Sequence, residues 1–107
     1  MSSGGAGLKA HREMTLLRIQ HAVPAFEAWK RAFDGDPVSR KEGGVRRYEI
    51  HRAASDPNLV VIDLHFDGLQ EATAFLEKLR RLWSGPGKAV MKEPQAQIFE
   101  TIESVAL

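Results

Sequence analysis

Asp63 and His65 stand two residues apart in a run of Leu, Val, Ile and Phe between Leu59 and Phe66. In an extended chain such residues share one face. A carboxylate is thereby set beside an imidazole, an arrangement that can move protons. The carboxylate orients or charges the histidine, and the histidine acts as acid–base or holds a polar ligand group. The same two residues also serve as a satisfied polar pair at an interface. Arg18 lies in a second alternating segment. It can reach an acidic ligand group or pair with Asp63, and the pairing is favoured because a half-buried charge needs a partner. Gln20 stands on the same alternate set as Arg18 and can orient a ligand. His21 ends that segment, where it either joins His65 at a cavity mouth or caps the strand end. Tyr48, the only tyrosine, offers a hydroxyl to a phenolic ligand if it faces the site and is core if it faces the helices.

Other chemistries are excluded by what is absent from the sequence. There are no cysteines, so disulfides, thiolate zinc, iron–sulfur clusters and thiol catalysis are out. The four histidines show no His-x-x-x-His or Glu-x-x-His helical spacing, and no metal is expected. Gly43-Gly44 lacks the lysine and helix of a phosphate-cradling loop, and no Ser or Thr sits in a nucleophile elbow. Arg46-Arg47 and Arg80-Arg81 are basic pairs, but the formal net charge is only +1 and no Gly-Phe-x-Phe stacking pattern occurs. Nucleic-acid binding is therefore not expected. No window approaches 18 consecutive apolar residues, so no membrane span or membrane partner is expected. Residues 1–7 are Gly- and Ser-rich without the apolar stretch of a secretion signal. A flexible leader is expected over 1–13, a single domain over 14–105, and a cytoplasmic location.

The elements that must position these residues follow from periodicity. Met14 to His21 alternates, with Leu17 and Ile19 against Arg18 and Gln20, and reads as a strand. Pro24 suits the first turn of a helix, and Phe26, Trp29, Lys30 and Phe33 mark one face of it. Asp34-Gly35-Asp36-Pro37 stops that helix, and 38–44 reads as a polar loop. Val45 to Arg52 is a second strand, Asp56-Pro57-Asn58 a turn, and Leu59 to Phe66 a third strand forming a hairpin with the second. Leu69 to Trp83 is a helix with Ala72, Phe75, Leu76, Leu79 and Leu82 on one face. Ser84-Gly85-Pro86-Gly87 ends it, 88–94 is a connection, and Gln95 to Val105 is a last strand. The two tryptophans, Trp29 and Trp83, are expected in core or interface packing.

The order β-α-β-β-α-β predicts an α+β ferredoxin-like fold, with two helices on one face of a four-stranded antiparallel sheet. If Leu17, Ile19, Ile62, Leu64 and Phe66 face the helices, then Leu16, Arg18, Gln20, Val61, Asp63 and His65 face away. The parities of the remaining strands depend on register, since a slip by one residue exchanges the faces. The face without helices carries apolar residues among ionisable ones. Large uncovered apolar areas are uncommon on monomers, so a homodimer is expected, with a partly polar cavity between two sheets.

The chain resembles the small dimeric α/β-barrel proteins, a superfamily that includes the antibiotic biosynthesis monooxygenase-like proteins. The resemblance rests on the element order, the Pro-Ala-Phe-Glu-Ala-Trp-Lys-Arg-Ala-Phe run at 24–33 and the Asp-Pro-Asn at 56–58. It rests also on the Glu-Ala-Thr-Ala-Phe-Leu helix at 71–76 and the strand after Pro94, and it spans 14–105. It implies a homodimer whose two sheets close into a barrel, and an activity drawn from monooxygenation without cofactor, haem degradation or polyketide cyclisation. Haem-degrading members use an Asn, a Trp and a His. The only asparagine here is Asn58, in the expected turn, and Trp29 reads as core, so that activity does not transfer. Two readings remain. In one, an enzyme uses His65 and Asp63 for proton transfer, while Arg18, Gln20, Tyr48 and His21 bind a small, aromatic ligand. In the other, a non-catalytic dimer binds a ligand or acts as a scaffold.

Overall fold

The computed structural model describes residues 14–85 and 92–107. The expected leader over 1–13, and the connection from Pro86 to Met91, lie outside the described residues. Alternating apolar positions give the strands β1 (Thr15–Ala22), β2 (Arg47–Ala53), β3 (Asp56–Phe66) and β4 (Lys92–Glu100), and the two amphipathic runs give α1 (Phe26–Asp34) and α2 (Leu69–Trp83). The strands form one antiparallel sheet in the order β2-β3-β1-β4. This is the ferredoxin-like α+β arrangement, with the two most apolar strands at the centre.

Register settles the faces. Leu17 pairs with Leu64 and Ile98, and Ile19 with Ile62 and Ala96. Tyr48 and Ile50 oppose Leu64 and Ile62. This set faces the helices, and all of it but Tyr48 packs with Trp29, Ala72, Phe75, Leu76 and Leu79 into one core. Phe66 and Phe75, with ring centroids 5.6 Å apart, are among its largest fully buried side chains. The other parity brings Arg18 opposite Asp63 and Gln97, Glu49 opposite Asp63, and Arg47 opposite His65.

Several boundaries differ from expectation: Pro24 precedes the Ala25 N-cap of α1 instead of standing in its first turn, and β2 begins at Arg47, not Val45. The hairpin turns at Ala54-Ser55, and residues 56–58 belong to β3. Asp56 Oδ1 accepts from the Asn58 N–H at 3.0 Å, and the Asn58 carbonyl accepts from Val23 N–H at 2.8 Å. The β2–β3 register slips between Arg52 and Ala53. Pro57 therefore sits in an irregular stretch, where its missing N–H is tolerated. The last strand runs from Lys92 to Glu100 rather than from Gln95 to Val105. Pro94 is accommodated because β4 is an edge strand. The Thr101 N–H still reaches the Met14 carbonyl at 2.6 Å, but β1 begins at Thr15 and offers no ladder further on.

The segment 35–46 between α1 and β2 is held by successive turns, with Gly43 N–H on the Ser39 carbonyl and Val45 N–H on that of Arg40. Gly43 lies so close to α2 that a Cβ there would be 2.5 Å from Phe75 Cδ1, and Gly44 has φ +100°. Both positions demand glycine. The result is a loop pressed against the helix layer, which places Val38 and Arg40 beside the core.

Candidate functional site

On the face without helices, β1, β2 and β3 bring charged side chains into an ordered lattice. Arg18 donates from Nε to Asp63 Oδ1 at 2.7 Å and from Nη2 to Oδ2 at 2.9 Å. This planar two-point pairing is the strong geometry for arginine and carboxylate. It holds the Asp63 carboxyl below its ordinary range, against the opposing effect of burial, and raises the Arg18 guanidinium. His65 does not pair with Asp63. Its Nε2 lies 2.7 Å from Glu49 Oε1, and Glu49 is also bridged by Arg47. His51 Nε2 lies 3.5 Å from Asp63 Oδ2. The His65 Nδ1 is buried without a partner among the described residues.

Asp63 and His65 thus share a face, with Arg18 and Gln20 beside them, but each of the expected pair is engaged elsewhere. Glu49, which the sequence left at an undetermined parity, takes the place beside His65. The ligand atoms of Glu49, His51 and Asp63 lie within 4.8 Å of one another. A divalent ion there would compete with Arg18 for Asp63 and with Arg47 and His65 for Glu49, so the carboxylates are already neutralised.

His21 and Tyr48 do not join this group. Both lie on the helix-facing parity. The face is set by alternation, which sends odd positions of β1 and even positions of β2 to the core. His21 is 2% exposed and packs on Trp29 with ring centroids 5.3 Å apart. Burial pushes its pKa below the ordinary imidazole value, outweighing a weak bond from Nδ1 to the Ala22 carbonyl. Tyr48 meets Phe33 edge-on at 5.0 Å and remains partly exposed.

A concave space lies on that helical side. A cavity of about 160 Å³ opens between the sheet and both helices. Its walls include Trp29 and Phe33 of α1, Phe75 and Trp83 of α2, and Ile62 and Leu64 of β3. Among the described residues lining it, Arg40 alone is charged. Arg40 donates from Nη1 to the Phe33 carbonyl at 2.8 Å, and its guanidinium lies over the Phe33 ring at 3.9 Å and the Tyr48 ring at 5.1 Å. Its backbone N–H bonds Asp36 Oδ1 at 2.9 Å. The sequence reading missed Arg40. The available signal was Val38 in an otherwise polar loop, an apolar residue that has to be buried against something.

No known family profile and no curated protein matches this sequence. Solved structures do match in fold. One is a provisionally assigned antibiotic biosynthesis monooxygenase from Nitrosomonas europaea, at 19% identity and TM-score 0.63, over 88% of this chain and 96% of that one. A second is SnoaB from Streptomyces nogalater, described as a cofactor-independent oxygenase, at 13% identity and TM-score 0.68, over 85% and 95%. A third is a dimeric ferredoxin-like protein from an uncultured marine organism, at 13% identity and TM-score 0.61, over 85% and 97%. At these identities the likeness establishes the fold. The chain has the ferredoxin-like fold that antibiotic biosynthesis monooxygenase-like proteins share.

Proposed function

We propose that the protein is a homodimer that binds a small aromatic or apolar molecule in the cavity between its sheet and its helices. The observation that supports this reading is the aromatic lining of that cavity. Two tryptophans and two phenylalanines line about 160 Å³ of space. Sites for small molecules are concave, mostly apolar and furnished with few polar groups. An apolar cavity of about 150 Å³ is large enough to take up benzene.

The open sheet face fits the role of subunit interface. Its charges are already paired, so a second copy can cover them without stranding an ion. Leu16, Val61 and Phe99 lie among them on that parity, and Ile102 and Val105 stand exposed just beyond β4. In this arrangement Asp63 and His65 serve the interface rather than proton transfer.

A cofactor-independent, monooxygenase-like activity is the second reading. It is favoured by the same cavity and by the fold shared with an oxygenase of that description. With Arg40 the single charged group among the described lining residues, the substrate would have to ionise itself. A phenolate or enolate held beside a cation in a water-poor pocket meets that need.

Both tryptophans of the chain line the cavity, so their fluorescence reports on it. Titration with phenol is expected to change it saturably, and Phe75→Trp, which fills the space, to abolish the response. An unchanged signal would remove the binding reading. Oxygen uptake with ionisable phenols decides the second reading. Sedimentation at micromolar concentration decides the dimer.

A further inference from the structure

Outside the cavity, at the β2 edge of the sheet, lies an open depression of about 530 Å³ lined by Asp36, Arg40, Lys41, Arg46, Arg47 and Tyr48, with Val45 at its base. Arg40 lines both this groove and the aromatic cavity. Arg40 is the residue the two sets of described lining residues share, and its guanidinium lies over the Phe33 ring, which lines the cavity, and near the Tyr48 ring, which lines the groove. A polar group carried by a ligand at the Arg40 side of the cavity would therefore be met by a guanidinium that also borders the basic groove.

The charge of the groove is one-sided. Among the described residues lining it, four cations stand against the single carboxylate of Asp36. Arg46 also bonds Asp67 at 2.8 Å and Arg47 bridges Glu49, which leaves Arg40 and Lys41 against Asp36 alone. Arg40 is held only loosely by Asp36, with Nη1 3.4 Å from Oδ1. Its Nη1 is committed to the Phe33 carbonyl, and its position over the Phe33 ring holds the fork in place. An arginine pre-oriented in this way loses little freedom when it binds a planar or tetrahedral oxyanion.

Building on the cavity reading above, we propose that the ligand is an amphipathic anion. A one-ring aromatic group, or an apolar group of similar size, fills the cavity. A phosphate or carboxylate attached to it lies in the groove against Arg40 and Lys41. The size of the apolar part follows from the volume of the cavity, which is that of a single ring. The oxyanion follows from the groove and from the position of Arg40 at the junction.

The test uses the intact chain and four probes: phenol, phenyl phosphate, phenylacetate and inorganic phosphate, read by tryptophan fluorescence and by calorimetry. Phenyl phosphate or phenylacetate is expected to bind about tenfold more tightly than phenol, the factor one charge-assisted hydrogen bond provides. Whichever of the two binds more tightly identifies the oxyanion. Added salt should erase that advantage and leave phenol binding unchanged. Arg40→Gln should reduce the advantage. Because Arg40 also ties the loop to Phe33, Lys41→Gln, at an exposed position, provides the second variant and should reduce it in the same direction. Equal binding of phenol and both anions would overturn the proposal while leaving the cavity reading intact. Inorganic phosphate binding as tightly as phenyl phosphate would also overturn it, since groove and cavity would then act separately. A fluorescence signal that no aromatic probe changes would remove the cavity reading and this proposal together.

Discussion

The two faces of the sheet are built from the same four strands and differ in every other respect. On the helical side, Leu17, Ile19, Val60, Ile62, Leu64 and Phe66 are all nearly inaccessible, and His21, buried with them, has its pKa lowered by that burial. On the other side, Arg18, Asp63, Glu49 and Arg47 form paired charges, with His65 and His51 against the two carboxylates. The cavity is on the first side, and the titratable groups that suggest chemistry are on the second. Chemistry-bearing residue types therefore do not by themselves mark the concave space. A lattice whose carboxylates are held by arginines has little charge left to offer a substrate, whereas an aromatic cavity with Arg40 the one charged group among its described lining residues has unspent surface.

Substitutions on the two faces should separate these roles. The largest effect is expected from Phe66→Ala, which empties a fully buried site packed on Phe75. It should cost about 3–5 kcal/mol in denaturant unfolding. Arg18→Ala is next. It leaves the buried Asp63 carboxylate without its two-point partner, at about 1–3 kcal/mol, at the lower end because the Arg18 side chain is 49% exposed and screened. Replacing both, as Arg18→Met with Asp63→Leu, should restore most of that loss, because a buried pair is often no more stabilising than apolar residues of similar size. Glu49→Gln weakens partly exposed pairs and should shift stability by less than about 1 kcal/mol. None of the open-face changes should alter phenol binding.

The smallest effect is nil at neutral pH. His21 has a depressed folded pKa, so its contribution is complete above the unfolded value of about 6.5 and is lost as pH falls below it. Asp63 also has a depressed pKa, and its contribution is complete above about 3.9 and lost only on further acidification. The helical face should therefore weaken first in an acid titration of stability, and the open face second. His21→Leu should remove the first phase and leave the second.

Much of the fold was legible because alternation and helical spacing are strong in β1, β3, α1 and α2. The pairing of Arg18 with Asp63 was legible too, since two opposite charges on adjacent central strands have few other partners. The Asp63–His65 relationship was not. Sharing a face places two side chains side by side, but the neighbouring strand decides whom each one bonds, and Glu49 entered only once the β2 register was known. His21 and Tyr48 went to the other face for the same reason. The end of β4 depended on where β1 begins, a non-local fact, and Arg40 depended on the path of a loop whose turns leave no periodic trace.

The most direct test is a crystal structure of the protein soaked with 4-bromophenol, read for the position of the bromine from its anomalous signal. The account predicts a peak between the sheet and the helices, in contact with Trp29 and Phe75. A peak against Asp63 and His65, in the space between the sheets of two copies, with the helical cavity empty, would contradict it.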